Sequence, residues 1–338
     1  MKKFCLNYVY KFNHRECFNA TSKARLDVSR TFNEMGILPF NISLSYIDVK
    51  FLRRISQIAI AFFPFLWNLH KLQKGDIIYI QYPEEENFMW LISKGLKLRG
   101  AKIVYLIHDA ESARGKRSSE KETTLFNMAD TLYVHTEAMQ NLLREKGIEV
   151  PMKIIHVFDY YTTDSYRQIG MELKRIVIFA GNLEKASFIK ELSRLEKDTA
   201  LKFNLYGLKP SFDLGDMYRG AFAPEETSAI EGGWGLVWDG DSIETCSGVL
   251  GHYLRYNSSH KLSLYLAAGI PVIVWEQSAL ASWVKKNNVG ITVQSLVEVE
   301  KYINAISDNV YANMIDSVRY ISSKLRNGEF LKSLIMND

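Results

Sequence analysis

Apolar residues follow two rhythms along this chain. Short unbroken apolar runs alternate with stretches in which apolar positions return every third or fourth residue. The first pattern marks buried strands and the second marks one-sided helices. In the first half the strand-like runs are CLNYVY, ILPFNI, DIIYIQYP (closed by Pro83), AKIVYLIHD, DTLYVHT and KIIHVFDY. Helical stretches are expected at 21–35 with a stop at Gly36, at 51–72 with a kink at Pro64, at 88–98, and at 137–146 with a stop at Gly147; glycine commonly ends a helix, and proline breaks or bends one.

The second half repeats this grammar. RIVIFAGNL, LKFNLYG, GGWGLVWDGD, PVIVW and GITV read as strands. Helices are expected at 188–195, 261–268 (Gly269 as the stop), 279–287, 297–306 and 311–325. Strands alternating with helices imply parallel sheets joined by right-handed crossovers. The expected fold class is therefore α/β, with two Rossmann-like domains. The turn-rich stretch TTDSYRQIG places the hinge at 159–174, giving domains at 1–160 and 161–310 and a terminal helical segment at 311–338.

Size supports this division, because 338 residues exceed the ~100–200 of a usual domain. Lys plus Arg is 42 against 38 for Asp plus Glu, a net charge of +4. That small excess, without a basic stripe carrying interleaved aromatics, gives no nucleic-acid signature. Cys5, Cys17 and Cys246 are odd in number and lack metal-finger spacing. No run of about 18 apolar residues offers a membrane span, and the N-terminus lacks the apolar core of a signal peptide. The expected location is cytoplasmic. FLRRISQIAIAFFPFLWNLHKLQK, with basic residues flanking an apolar middle, reads first as a buried helix and second as a peripheral contact with the inner face of the plasma membrane.

In open parallel sheets ligands bind beyond the carboxyl ends of the strands, which directs attention to a few loops. His260 and Lys261 open a helix, where unpaired N–H groups and the dipole favour anions. Ser258 and Ser259 precede it as candidate caps or phosphate donors. Asp239, Asp241 and Glu244 follow an apolar strand; carboxylates there can bind sugar hydroxyls, hold a cation or act as a base, or can simply form a turn. His108 and Asp109 end another strand, beside the basic residues 114–117. Gly181-Asn182 and Tyr206-Gly207 are turns that let backbone approach a ligand closely. None of these pieces is specific alone, and no P-loop, nucleophile elbow or zinc-protease motif occurs.

Taken in order, the pieces resemble a known family. GLVWDGDSIETCSG, HKLSLYLAAGIPVIVW and ALASWVKKNNVGITV carry the resemblance; SKARLDV, LIHDAESARG, KIIHVFDY, FAGNL and KLRNGEFL extend it over most of the chain. The sequence resembles the bacterial family of the glucosyltransferase 3 enzymes, and looks still more like β-1,6-galactofuranosyltransferases of O-antigen and capsule synthesis. The resemblance implies a GT-B enzyme with two Rossmann-like domains across a cleft, the N-terminal one on the acceptor side and the C-terminal one holding a nucleotide sugar. It also implies that the last helix crosses back to the N-terminal domain, that no cofactor or catalytic metal is needed, and that the chain can self-associate.

The expected reaction moves a hexose, galactofuranose first, from a UDP-sugar to a hydroxyl of a growing surface glycan, with a lipid-linked acceptor among the candidates; the alternative is a UDP-glucose-dependent glucosyltransferase of glycoprotein glycosylation. Lys261 is expected to stabilise the leaving diphosphate, and Asp109, or else His108, to act as base. The donor-side set is Gly181, Asn182, Tyr206, Gly207, Asp239, Asp241, Glu244, Ser247, Gly248, His260 and Ser263. Ser22, Lys23 and Arg25 are expected to line the acceptor side. The rival readings are a non-catalytic GT-B co-subunit, which would bind donor without transfer, and a nucleotide-sugar epimerase, which would convert donor without an acceptor.

Overall fold

The computed structural model describes residues 1–10, 20–44, 65–83, 86–166 and 169–338. Residues 51–64 of the expected apolar helix lie outside the described residues; 65–68 are helical and run into a 3₁₀ turn at Leu69–Lys71. The chain forms two compact units. Unit 1 takes Met1–Cys17, Val28–His135 and Met139–Ile154; unit 2 takes Phe18–Asp27, Thr136–Ala138 and Ile155–Asp338. The first helix is thus divided between them, and residues 311–338 belong to unit 2.

Unit 1 is built on a parallel sheet of β1 (Lys3–Tyr10), β2 (Leu38–Leu44), β3 (Ile77–Tyr82), β4 (Lys102–Ile107), β5 (Thr131–Val134) and β6 (Met152–Ile154), in the order β2-β1-β3-β4-β5-β6. IIYIQY and KIVYLI are buried along almost their whole length, as strands covered on both faces must be. The crossovers include α1 (Ala20–Glu34), α2 (Glu86–Leu98), α3 (Ser119–Phe126) and α4 (Glu137–Glu145). Tyr82 meets Phe126 edge-on at 4.8 Å, and its hydroxyl donates to the buried Glu122 carboxylate at 2.7 Å. KIIHVFDY is strand only over Met152–Ile154, because His156 takes a left-handed φ of 62° that extended pairing cannot accommodate.

Unit 2 holds β7 (Ile176–Ala180), β8 (Lys202–Tyr206), β9 (Tyr218–Gly220), β10 (Trp234–Val237), β11 (Val272–Trp275) and β12 (Gly290–Val293). All pairings are parallel, in the order β12-β11-β10-β7-β8-β9. Numbered within the unit this is 6-5-4-1-2-3, the dinucleotide-fold order, whose strand sequence reverses between β7 and β10. The helices are α5 (Leu192–Asp198), α6 (Gly248–Tyr253), α7 (His260–Ala267), α8 (Ala281–Lys286), α9 (Val299–Ala305), α10 (Asp308–Arg326) and α11 (Glu329–Met336). A single apolar core runs through the unit, with Trp234, Tyr265, Trp275 and Tyr311 wholly buried. Tyr311 packs on Trp234 at 5.1 Å and donates its hydroxyl to the Gly233 carbonyl at 2.6 Å. Both units are therefore of the doubly wound α/β class. Among the described residues no helix is long and apolar enough to cross a membrane.

Candidate active site

The reversal of strand order in unit 2 opens a crevice at the carboxyl ends of β7 and β10. Gly181 follows β7 and Asp239 lies two residues beyond β10. Lys261, in the first turn of α7, bridges these two ends. Its ammonium donates to the Asp239 carboxylate at 2.7 Å and lies 5.3 Å from the Phe179 ring centre. A Cβ on Gly181 would come 3.1 Å from the Lys261 side chain, so the lysine stem lies along this turn.

Close backbone approach builds the rest. Gly181 N–H donates to the Tyr206 carbonyl at 3.0 Å, and a Cβ on Gly207 would strike the Gly181 carbonyl. The ends of β7 and β8 thus draw together only because both turns lack side chains. Behind them Tyr265 of α7 accepts the Ala180 N–H on its hydroxyl at 2.8 Å, and its ring fills the space that a side chain at Gly235 would need. This packing fixes α7 against β7 and β10.

The donor-side candidates do not all gather at Lys261. Near Lys261 are Gly181, Tyr206, Gly207, Asp239 and His260, whose ring packs at 5.2 Å from Tyr160 and 6.2 Å from Phe158. Ser247 and Gly248 fold onto the acidic loop: Asp241 N–H reaches the Ser247 hydroxyl at 3.4 Å, and Gly248 sits against the Asp241 carboxylate. Asn182 turns its amide oxygen to the Lys185 N–H at 3.1 Å. Glu244 is exposed and accepts from Ser295 at 3.2 Å. Ser263 faces inward, fully buried, and donates to the Phe158 carbonyl at 2.8 Å, which commits its hydroxyl to the fold. Ser259 occupies the cap position of α7 without making a side-chain cap bond.

In unit 1 the carboxyl ends of β3 and β4 carry a second polar group. His108 Nε2 bonds Gln81 Oε1 at 2.7 Å, and Gln81 Nε2 donates to Ser29 at 3.2 Å. The Asp109 carboxylate is paired with the Arg114 guanidinium, which also reaches Glu111 at 3.3 Å. Gln81 went unnoticed in the sequence, where its one polar place within IIYIQY was the available signal.

Lys23, expected on the acceptor side, is enclosed within unit 2. It is 3% exposed and clamps Asp27 at 2.5 Å, while also donating to the Tyr161 carbonyl at 2.7 Å and lying over the Tyr160 ring at 4.6 Å. Within unit 2 it is a buried structural cation, placed one helical turn from its carboxylate by the i, i+4 spacing. Arg25 is half-buried on the same helix, and the side chain of Ser22 lies outside the described residues. Among the described residues no three His, Cys, Asp or Glu side chains are grouped to hold a metal ion.

Comparison with known proteins shows the family and the fold. Residues 6–157 match the model of the glucosyltransferase 3-like N-terminal domain, and residues 177–337 that of the C-terminal domain. The chain is 29% identical over 330 residues to the β-1,6-galactofuranosyltransferase WbbI of Escherichia coli (strain K12), covering 96% of this chain and 94% of that one. It is 29% identical over 273 residues to glucosyltransferase 3 of Streptococcus parasanguinis, covering 78% of each. Among solved structures, an α,α-trehalose-phosphate synthase (UDP-forming) from Burkholderia vietnamiensis superposes with a TM-score of 0.63 at 8% identity, over 100% of this chain and 98% of that one. That likeness shows the GT-B fold.

Proposed function

The chain belongs to the glucosyltransferase 3-like family and is a glycosyltransferase of the GT-B type; from that premise we propose that it transfers a hexose from a UDP-sugar to a hydroxyl of a growing bacterial surface glycan. Galactofuranose is the first choice of sugar, supported by the likeness to WbbI along nearly the whole chain, and glucose is the second. The observation that carries the reading is Lys261, held at the first turn of α7 where β7 and β10 part.

In this reading the diphosphate of the donor lies at the α7 N-terminus, between the Gly181 and Gly207 turns. Attack by the acceptor hydroxyl on the anomeric carbon breaks the bond between sugar and phosphate oxygen and leaves a second negative charge on the β-phosphate of the departing UDP. The α7 N–H groups and the Lys261 ammonium meet that charge, Lys261 exchanging Asp239 for phosphate oxygen. No metal is required for this step. Asp241 borders the donor sugar or the incoming hydroxyl. Asp109 takes the proton of the acceptor hydroxyl, with His108 the second candidate. The work is done in the cytoplasm, on an acceptor that a lipid can carry.

Mass spectrometry tests the reading directly. The protein is incubated with UDP-galactofuranose or UDP-glucose and short sugar acceptors, with chelator and without. A product one hexose heavier, formed equally in chelator, is expected. Donor binding without transfer to any acceptor would assign the chain to the non-catalytic co-subunits instead.

A further inference from the structure

Next to the Lys261 crevice, the carboxyl end of β11 carries polar atoms that diphosphate binding leaves unused. Trp275 ends that strand and is 1% exposed, yet its indole N–H has no hydrogen-bond partner among the described residues. The Arg255 guanidinium lies 4.8 Å from the Trp275 ring centre and reaches the Gln277 amide with one terminal nitrogen, while its buried Nε–H is unpartnered. The Ser278 hydroxyl and the Asn257 amide oxygen are likewise buried without partners. One backbone bond joins the two loops, Ala279 N–H donating to the Leu254 carbonyl at 2.9 Å, while Ser278 N–H closes the second loop onto the Trp275 carbonyl at 3.0 Å.

A buried polar atom without a partner costs about 1–3 kcal/mol, and native folds retain few of them. Four on two apposed loops call for a polar ligand. Their chemistry narrows its class. The Arg255 and Trp275 nitrogens only donate, the Asn257 oxygen only accepts, and the Ser278 hydroxyl does both. Phosphate offers acceptors alone and would oppose the Asn257 oxygen. Ring hydroxyls of a sugar both donate and accept. Gln277 is exposed and Arg255 half-buried, so the pair that lies against the Trp275 ring borders solvent.

We propose that the loops around Arg255, Asn257, Trp275 and Ser278 bind the hexosyl group of the donor and select among sugars by their hydroxyl pattern. The inference rests on the UDP-sugar reading above and assigns sugar recognition to residues outside the acidic loop.

Calorimetric titration of the full chain separates the two claims, because UDP lacks the hexose. Wild type, Ser278→Ala, Asn257→Leu and Arg255→Met are each titrated with UDP, UDP-glucose and UDP-galactofuranose. The variants are expected to bind UDP within twofold of wild type but the preferred UDP-sugar roughly 5–50-fold more weakly, with a changed ratio between the two sugars. Ser278→Ala and Asn257→Leu should also keep or raise the Tm without ligand, since each deletes an unpartnered atom; a residue that merely supported the fold would lower it. Equal weakening of UDP and UDP-sugar would assign the loops to the nucleotide and overturn the inference. Unchanged binding of both sugars would overturn it too. Failure of wild type to bind UDP at all would sink the underlying UDP-sugar reading, and the inference with it.

Discussion

At the scale of single residues, the chain shows how far residue type is from residue role. Lys23 and Lys261 are both lysines near a helix start, and each has a carboxylate partner. Burial separates them: Lys23 is closed into the core of unit 2, whereas Lys261 stands at a strand-order reversal. Sequence periodicity could place each on a helix but could not show which face of that helix would be covered. Ser263, expected on the donor side, likewise sits on a covered face with its hydroxyl on the Phe158 carbonyl. Asp159 was not singled out at all, yet burial pushes its carboxyl up to about 7, against the partial relief of N–H bonds from Leu331 at 2.9 Å and Phe330 at 3.2 Å. Its folded pKa lies above its unfolded one. Its contribution to stability is therefore full below the ordinary Asp range and lost as pH rises through about 7. Asp159→Asn keeps an acceptor for those N–H groups and removes the titration. Thermal melts should show the variant higher than wild type by ~4 °C at pH 8, with the gap narrowing towards pH 5 and closing only near pH 4; an equal gap at pH 8 and pH 5 would refute the assignment. Gly235→Ala should act oppositely, forcing a methyl into the Tyr265 ring at a cost of about 1–3 kcal/mol. Because Tyr265 also holds Ala180, UDP affinity should fall along with Tm, and normal affinity would show that this packing does not set the site.

Elements were most legible where the hydrophobic rhythm was long. The expected helix at 21–35 is Ala20–Glu34, that at 311–325 is Asp308–Arg326, and the strand-like runs of both halves all carry strands. Short elements escaped: β9 has three residues and α6 six, too few for a period to declare itself. The expected helix at 188–195 begins as a 3₁₀ segment, Ser187–Glu191, before α5. The terminal helical segment breaks at Asn327 and Gly328 into α10 and α11. One element-scale device has no sequence signal. The last carbonyl of α7, on Ala267, accepts from Ser322 at 3.1 Å and from the Arg326 guanidinium at 2.8 and 2.5 Å. Cations are favoured at helix carboxyl ends, and a charge-assisted bond is worth about 1.5–3 kcal/mol. Arg326→Met should therefore lower the Tm by ~5 °C, with Arg326→Lys losing less. If the two substitutions melt alike, the guanidinium fork is not what anchors α7.

For the whole molecule, alternating strands and helices gave two parallel sheets, but no local pattern could give the order β12-β11-β10-β7-β8-β9. Order arises from tertiary packing, and it is the order that locates the crevice. Nor could sequence show that unit 2 includes residues 18–27. There Asp27 accepts the Tyr161 N–H at 3.2 Å and the Lys23 ammonium donates to the Tyr161 carbonyl. Removing one member strands a buried charge, which costs about 3–5 kcal/mol, whereas replacing both with apolar residues of similar volume is often near neutral. Lys23→Met should thus be less stable in urea than Lys23→Met/Asp27→Leu, and both should leave the KM for UDP-sugar unchanged in any folded fraction. A single variant as stable as the double would show that the pair is not closed off from water. The same pairing sets an order of events during synthesis. Tyr161 emerges from the ribosome 134 residues after Asp27, a wait of roughly 7–27 s at ~5–20 residues per second. Through that interval the start of the first helix is an unclaimed segment of nascent chain, open to chaperones. Maturation of the second unit is therefore timed by its earliest-made piece being held available, and a pulse-labelled nascent chain should gain protease resistance there only after residue 161 has cleared the exit tunnel.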